Sequence, residues 1–187
     1  MKVLIFLTGL LCGSLSVIAS DTPKTPDKDR FGYFLKGNRR STRIPFEFHS
    51  NLIIVKLQIN KSDTLNFILD TGVSNTIVTD PLALKHQPLK LTRKMKLSGV
   101  GEGSSLSAIV AIDNELSMGI MRAMHQNLIV LETDILRLSE YVGIPIHGIF
   151  GYDLFNTFVV GIDFRSREIT LTQPKYYRYK ARYGDRY

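Results

Sequence analysis

An apolar run that ends in an acid, a hydroxyl and a glycine is the stretch of the sequence best suited to chemistry. Phe67-Ile68-Leu69 leads directly into Asp70-Thr71-Gly72. A carboxylate at the end of a buried strand is costly unless it is hydrogen-bonded, and Gly72 permits a tight turn that brings backbone close to the acid. Asp70 is therefore either a turn acid held by backbone amides or a catalytic carboxylate, and the tripeptide alone is compatible with both.

Two later stretches contain glycine in positions that suit a site around Asp70. Gly148-Ile149-Phe150-Gly151 places two apolar residues before a glycine, and Asp153-Leu154-Phe155 follows it as a predicted short helix. Such a pattern lets a strand pass close beside another backbone. Between these stretches lies Gly99-Val100-Gly101-Glu102-Gly103, which predicts a hairpin tip, either a flexible one or an ordinary turn.

In their order and spacing, these three stretches resemble the retropepsin-like aspartic proteases, and most closely the exported bacterial proteins with a single such domain. The resemblance covers about residues 46 to 172, and one departure is Val73, where the family usually has alanine. It implies that Asp70, Thr71 and Gly72 are the catalytic residues. It also implies a substrate-binding flap at Gly99, Val100, Gly101, Glu102 and Gly103, and structural residues beside the site at Ile149, Phe150 and Gly151.

The resemblance further implies an aspartic endopeptidase that acts on a peptide or protein substrate without a cofactor. In that chemistry two facing carboxylates share a proton, since they do not both ionise easily, and they activate a water between them. This chain contains a single Asp-Thr-Gly, and neither Asp153 nor Asp163 is followed by Thr-Gly or Ser-Gly. Asp70 is therefore expected to meet Asp70 of a second copy in a homodimer, because a two-fold interface places a residue opposite itself.

Other chemistries fit the sequence poorly. The four histidines show no metal-ligand spacing, and a His-Glu-x-x-His motif is absent, so we expect no metal. A dinucleotide loop would need glycine at position 104, which is serine. Ser74 lacks the second glycine of a Gly-x-Ser-x-Gly elbow. His147 lies just before Gly148, and we expect it to have a structural or surface role.

The N-terminus has the order of residues found in a secretory signal peptide. Lys2 is followed by an apolar run from Val3 to Ile18, and the small residues Ala19 and Ser20 come next. Residues 1–20 are therefore predicted to be a cleaved signal, and the mature protein is expected in the periplasm or outside the cell. An uncleaved anchor and lipidation at Cys12 are the alternatives. Cleavage would remove the only cysteine, so no disulfide is expected.

The mature chain reads as one β domain between two polar ends. Residues 21–43 are polar and rich in turn residues, which predicts a flexible linker. Many short alternating stretches follow over 44–173, with one or two short helices. The expected fold is all-β, a closed barrel or a sandwich of the retropepsin-like type. Residues 174–187 interleave basic and aromatic side chains in a C-terminal tail.

The charge of the chain bears on its partners. Lys and Arg number 24 against 17 Asp and Glu, a formal charge of +7. The C-terminal tail could touch an anionic envelope surface weakly, or remain solvated, or add to a dimer interface. Export makes nucleic acid a poor partner. A non-catalytic peptide-binding or envelope-associated domain on the same scaffold remains the alternative function, because a fold does not fix its chemistry.

Overall fold

The computed structural model describes residues 26–97 and 106–179. These residues form twelve strands and two short α-helices. The strands are β1 Gly32–Leu35, β2 Ser41–Pro45, β3 Glu47–His49, β4 Leu52–Ile59, β5 Leu65–Asp70, β6 Thr76–Val78, β7 Lys90–Leu97, β8 Leu106–Met118, β9 Met121–Leu131, β10 Gly148–Gly151, β11 Val159–Asp163 and β12 Glu168–Thr172. The helices are α1 Leu138–Val142 and α2 Tyr152–Thr157, with 3-10 turns at Asp27–Asp29, Lys36–Asn38, Pro81–Leu84 and Pro174–Tyr176.

Six strands close into a barrel in the order β4, β5, β10, β6, β9, β8 and back to β4. The closing pair is β4 with β8, where Ile59 lies opposite Leu116. Strand β4 shows the alternation that a barrel wall needs, since Val55, Leu57 and Ile59 are buried and the residues between them are exposed. The predicted all-β fold with a closed barrel and short helices is therefore confirmed.

The barrel encloses an apolar core, and smaller elements cover its outside. Phe67 of β5 and Phe150 of β10 are fully buried and meet edge to face, with ring centroids 6.3 Å apart. A separate three-stranded sheet has the order β11, β12, β2. On another face of β5, Ile68 packs with Val142 of α1 and with Ile146, which covers the strand that ends at Asp70.

The structure differs from the predicted flexible linker over residues 32–43. Strand β1 pairs with β9, and Phe34 and Leu35 of β1 are buried. Strand β2 begins at Ser41 and pairs with β12. The polar and turn-rich composition concealed these strands, because each contributes only one or two residues to the core and is stabilised by pairing with a strand far along the chain. Residues 21–25 lie outside the described part.

Other predicted elements are present with shifted ends. Asp80 caps the 3-10 turn at Pro81–Leu84 by accepting a hydrogen bond from the Leu82 amide at 3.0 Å. Met118 and Met121 are register partners, so the chain turns back between them in a hairpin of β8 and β9. Among the described helices, none is long and apolar enough to cross a membrane. The predicted signal at 1–20 lies outside the described residues.

Candidate active site

Strand β5 brings Asp70 from the core to the surface. Phe67 is fully buried, Leu69 is half-buried and Asp70 is exposed. The strand is held on both sides, by β4 antiparallel and by β10 parallel. Because both neighbours pair with the residues just before Asp70, the position of the carboxylate is fixed by the barrel itself.

A backbone amide holds the Asp70 carboxylate in a tight turn. The Gly72 amide donates to Asp70 Oδ1 at 2.8 Å. A side chain at Gly72 would place its Cβ 3.3 Å from the same oxygen, so glycine lets the turn close on the acid. Asp70, Thr71 and Gly72 are all exposed. Within the described residues the carboxylate forms no ion pair, and it is open to water and to an approaching partner.

Strand β10 threads between the two strands that flank the Asp70 turn. It pairs in parallel with β5, with Gly151 opposite Asp70, and antiparallel with β6, with Ile149 opposite Ile77. The loop of residues 71–75 connects β5 to β6 across the end of β10. The structure thus brings Ile149, Phe150 and Gly151 beside the Asp70 turn.

Glycine is needed at both ends of β10. A Cβ at Gly151 would lie 2.3 Å from the Asp70 carbonyl oxygen, and a Cβ at Gly148 would lie 2.3 Å from the Ile77 carbonyl oxygen. Atoms at that separation overlap, so the three strands can approach this closely only with glycine at these two places. The position of the catalytic candidate therefore depends on a residue that is remote in sequence.

A polar cluster behind the loop was not found from the sequence. Tyr33 of β1 forms a side-chain hydrogen bond with Thr76, the first residue of β6 after the loop. Burial raises the pKa of Tyr33 to about 12, and the negative charge of Asp153 adds to the rise while the bond to Thr76 opposes it. Burial also raises the pKa of Asp153, which lies two residues after Gly151. The sequence did not reveal this polar cluster because Tyr33 lies in the segment predicted to be a linker.

His147 has a structural position, and the described residues offer no metal site. Its Nδ1 accepts a hydrogen bond from the Asn66 amide at 2.9 Å, and its own amide donates to the Asn66 carbonyl at 2.9 Å. Together these bonds fasten the chain before β10 to the start of β5. No three metal-ligating side chains cluster within residues 26–97 and 106–179.

The predicted flap at Gly99, Val100, Gly101, Glu102 and Gly103 lies outside the described residues. The strands on either side of it are described. Leu97 ends β7, Leu106 begins β8, and these two residues are register partners. The role of residues 99–103 in binding a substrate stays a prediction.

Comparison with known proteins identifies the family. The family model described as "Aspartyl protease" matches residues 55–154, which include both the Asp70 turn and Gly151. A solved structure described as "a retropepsin-like aspartic protease from Rickettsia conorii" is similar at 18% sequence identity and a TM-score of 0.45, covering 77% of this chain and 96% of that one. No curated protein was found to match. Because the family model spans more than half of the 187 residues, the chain belongs to the aspartyl protease family.

Proposed function

We propose that this protein is an exported aspartic endopeptidase that works as a homodimer, with Asp70 of each copy forming one shared active site. The observation that supports this proposal most directly is the state of Asp70. It lies on a rigid strand end, it is held by one backbone amide, and it is exposed. This exposure leaves the carboxylate accessible to a substrate and to a second copy of the chain.

A second copy is required because one carboxylate cannot perform the reaction alone. Within the described residues no other carboxylate is hydrogen-bonded to Asp70, and the charge of Asp153 acts on Tyr33. Hydrolysis of a peptide bond through activated water needs one group to take a proton and another to give one. A two-fold axis beside Asp70 supplies the second carboxylate with the same geometry as the first.

The proposed reaction follows from that pair. Two carboxylates in contact share one proton, because the second ionisation is opposed by the charge of the first. The ionised carboxylate takes a proton from the water, whose oxygen attacks the carbonyl carbon, while the protonated carboxyl donates to the carbonyl oxygen. The bond from carbon to nitrogen then breaks as the carboxyl that took the water's proton gives it to the nitrogen. The other carboxylate takes a hydroxyl proton from the tetrahedral intermediate, so a carboxylic acid product and an amine leave and the pair again holds one proton. Thr71 of each copy, adjacent to the acid, is proposed to brace the two turns through its hydroxyl.

Export is supported by the sequence of residues 1–20. A basic start, an apolar run and small residues before Asp21 are the features of a cleaved signal. We therefore place the mature enzyme in the periplasm or outside the cell. A protein or peptide in the same compartment is the proposed substrate, bound in an extended form under the flap.

The experiment that tests this proposal compares wild type with Asp70→Asn on a mixed peptide library from about pH 3 to about pH 7. Asp70 is exposed, so the variant is expected to fold, which circular dichroism checks. Cuts that are made by wild type and lost in the variant support the proposal. Equal cuts by both contradict it, and a folded, dimeric wild type that makes no cuts favours the non-catalytic peptide-binding domain.

A further inference from the structure

Strand β7 offers a free edge beside the predicted flap. It is the last strand on its side of the sheet and, within the described residues, it pairs with β8 alone. Six of its eight residues are exposed. The outer edge of β7, residues 90–97, therefore presents unpaired backbone donors and acceptors to which an extended polypeptide can add.

The side chains of this edge are basic, and two cations lack a counter-charge. Lys90 pairs with Asp113, and Lys94 Nζ lies 2.6 Å from Glu132 Oε1. Arg93 and Lys96 form no ion pair within the described parts of the chain. Lysine on an edge strand also discourages aggregation. Protection against aggregation alone would not require an apolar pocket beside the strand.

Such a pocket is present at the base of β7. A cavity of about 410 Å³ lies between this strand and the 3-10 turn Pro81–Leu84. Its lining is mainly apolar, and includes Leu84, Leu91, Ile109 and Val130. Leu91 of β7 lines this cavity and is 53% exposed, so an incoming apolar side chain can reach it. The volume lies within the range of pockets that bind small molecules or anchoring side chains.

The strand register puts the pocket, Lys94 and Lys96 on one face, with a register shift in β7 between Leu91 and Lys94. Lys94 is the partner of Ile109 across β7 and β8, and Ile109 is the partner of Val130 across β8 and β9. Cross-strand partners point to the same face of a sheet. A polypeptide added beside β7 would therefore direct every second side chain toward this one face, where Leu91, Lys94 and Lys96 lie.

We propose that the β7 edge is a docking site for an extended acidic segment of the substrate, which adds as a further strand and packs an apolar side chain at Leu91. That the docked polypeptide is the substrate rests on the proposed function, whereas docking itself does not. The site lies outside the Asp70 turn and would select substrates in which an apolar and an acidic residue lie two positions apart, so that both side chains point to the same face. Binding through charge in this way weakens as salt is added.

The test measures binding with cleavage switched off. A labelled peptide of about ten residues, with Ser at every second position and Leu and Glu sharing the positions between, presents both side-chain types on one face of a strand and is titrated with the Asp70→Asn protein by fluorescence anisotropy. The double change Lys94→Glu with Lys96→Glu is expected to weaken binding roughly tenfold, because two attractions become repulsions. The matched control, Lys36→Glu with Arg165→Glu, makes the same charge change at exposed residues elsewhere and is expected to leave binding unchanged.

A second comparison needs no change to the protein. Methylating every backbone nitrogen of the peptide removes its ability to pair as a strand through either edge and should abolish binding. A Lys-for-Glu peptide should also fail to bind. Equal weakening by both protein variants, or full binding of the methylated or the basic peptide, would overturn the proposal. If the acidic peptide docks as expected and wild type never cleaves it or any other peptide, the protease proposal fails while the docking site stands.

Discussion

At the scale of single residues, the site depends on glycines, whose lack of a side chain lets backbone approach Asp70. The chain reaches Asp70 through a buried strand, and the neighbouring strand approaches it so closely that only glycine fits at Gly151. Gly72 has a related role, since its amide reaches the carboxylate from within the turn. The geometry of the acid is thus set by two glycines as much as by the acid itself.

Replacing Gly151 with alanine should therefore damage both folding and activity. The new Cβ would lie 2.3 Å from the Asp70 carbonyl oxygen, and backbone must move to relieve the overlap. We expect a loss of about 2 kcal/mol in the free energy of unfolding, the usual cost of overpacking, together with loss of peptide cleavage. Urea titration and a peptide assay measure the two effects.

Gly161→Ala is the matched control for this change. Gly161 lies in β11, where a Cβ would meet its nearest atom, Thr170 Cβ, at 3.8 Å, an ordinary contact. Its substitution should alter stability by less than about 1 kcal/mol and leave cleavage intact. If Gly151→Ala behaved like this control, the close approach of β10 to Asp70 would not be essential.

The same scale shows what the sequence reveals about the site and what it conceals. Asp70 and the glycines around it are local signals, because an acid at the end of an apolar strand must be held by nearby donors and a glycine after apolar residues permits close approach of backbone. Tyr33 on β1 and Thr76 on β6 are ordinary residues for a strand. Only the fold brings them together. No sequence pattern within either segment predicts the hydrogen bond between these two side chains.

At the scale of elements, strands with strong alternation were predictable and those that depend on distant partners were not. Strand β4 alternates along its second half and is correctly expected. Strands β1 and β2 lie within a stretch that looks like a linker, and they form because they pair with β9 and β12. Residues 32–45 are therefore part of the folded domain, and Tyr33 of β1 belongs to the polar cluster behind the Asp70 loop.

The attachment of β1 gives the protein a characteristic response to alkali. The pKa of Tyr33 is raised from 10.0 to about 12, so the folded state holds the phenol proton more tightly than the unfolded state does. The resulting stability is fully present below about pH 10 and is lost as the pH rises from about 10 to about 12. A shift of this size corresponds to about 3 kcal/mol when the loss is complete.

Tyr33→Phe should remove the part of the stability loss at high pH that comes from ionisation of Tyr33. The free energy of unfolding of wild type is expected to fall between about pH 8 and about pH 11 more steeply than that of the variant, and urea titrations at the two values measure the difference. Loss of the hydrogen bond to Thr76 lowers the stability of the variant equally at both values. Tyr141→Phe, at an exposed position on α1, is the control and should match wild type. Parallel curves for Tyr33→Phe and wild type would show that Tyr33 is not protected by the fold.

At the scale of the whole molecule, one barrel holds half of the proposed catalytic machinery. Its acid is exposed at the end of β5, and the described residues supply no second acid for it. The fold class and the position of the acid could be predicted from sequence, and the single Asp-Thr-Gly predicts a second copy. The surfaces through which two copies would meet could not be predicted, because a symmetric interface leaves no periodic pattern.

The claim that Asp70 acts across two copies is tested most directly by mixing subunits. Wild-type protein is allowed to exchange subunits with an equal amount of Asp70→Asn, and peptide cleavage is measured before and after exchange. Random pairing turns half of the dimers into mixed dimers with a single functional acid, so activity should fall to about half of its starting value. Size measurement on tagged subunits verifies that exchange has taken place. Activity that stays constant after verified exchange would mean that each chain acts alone and would contradict the shared dyad.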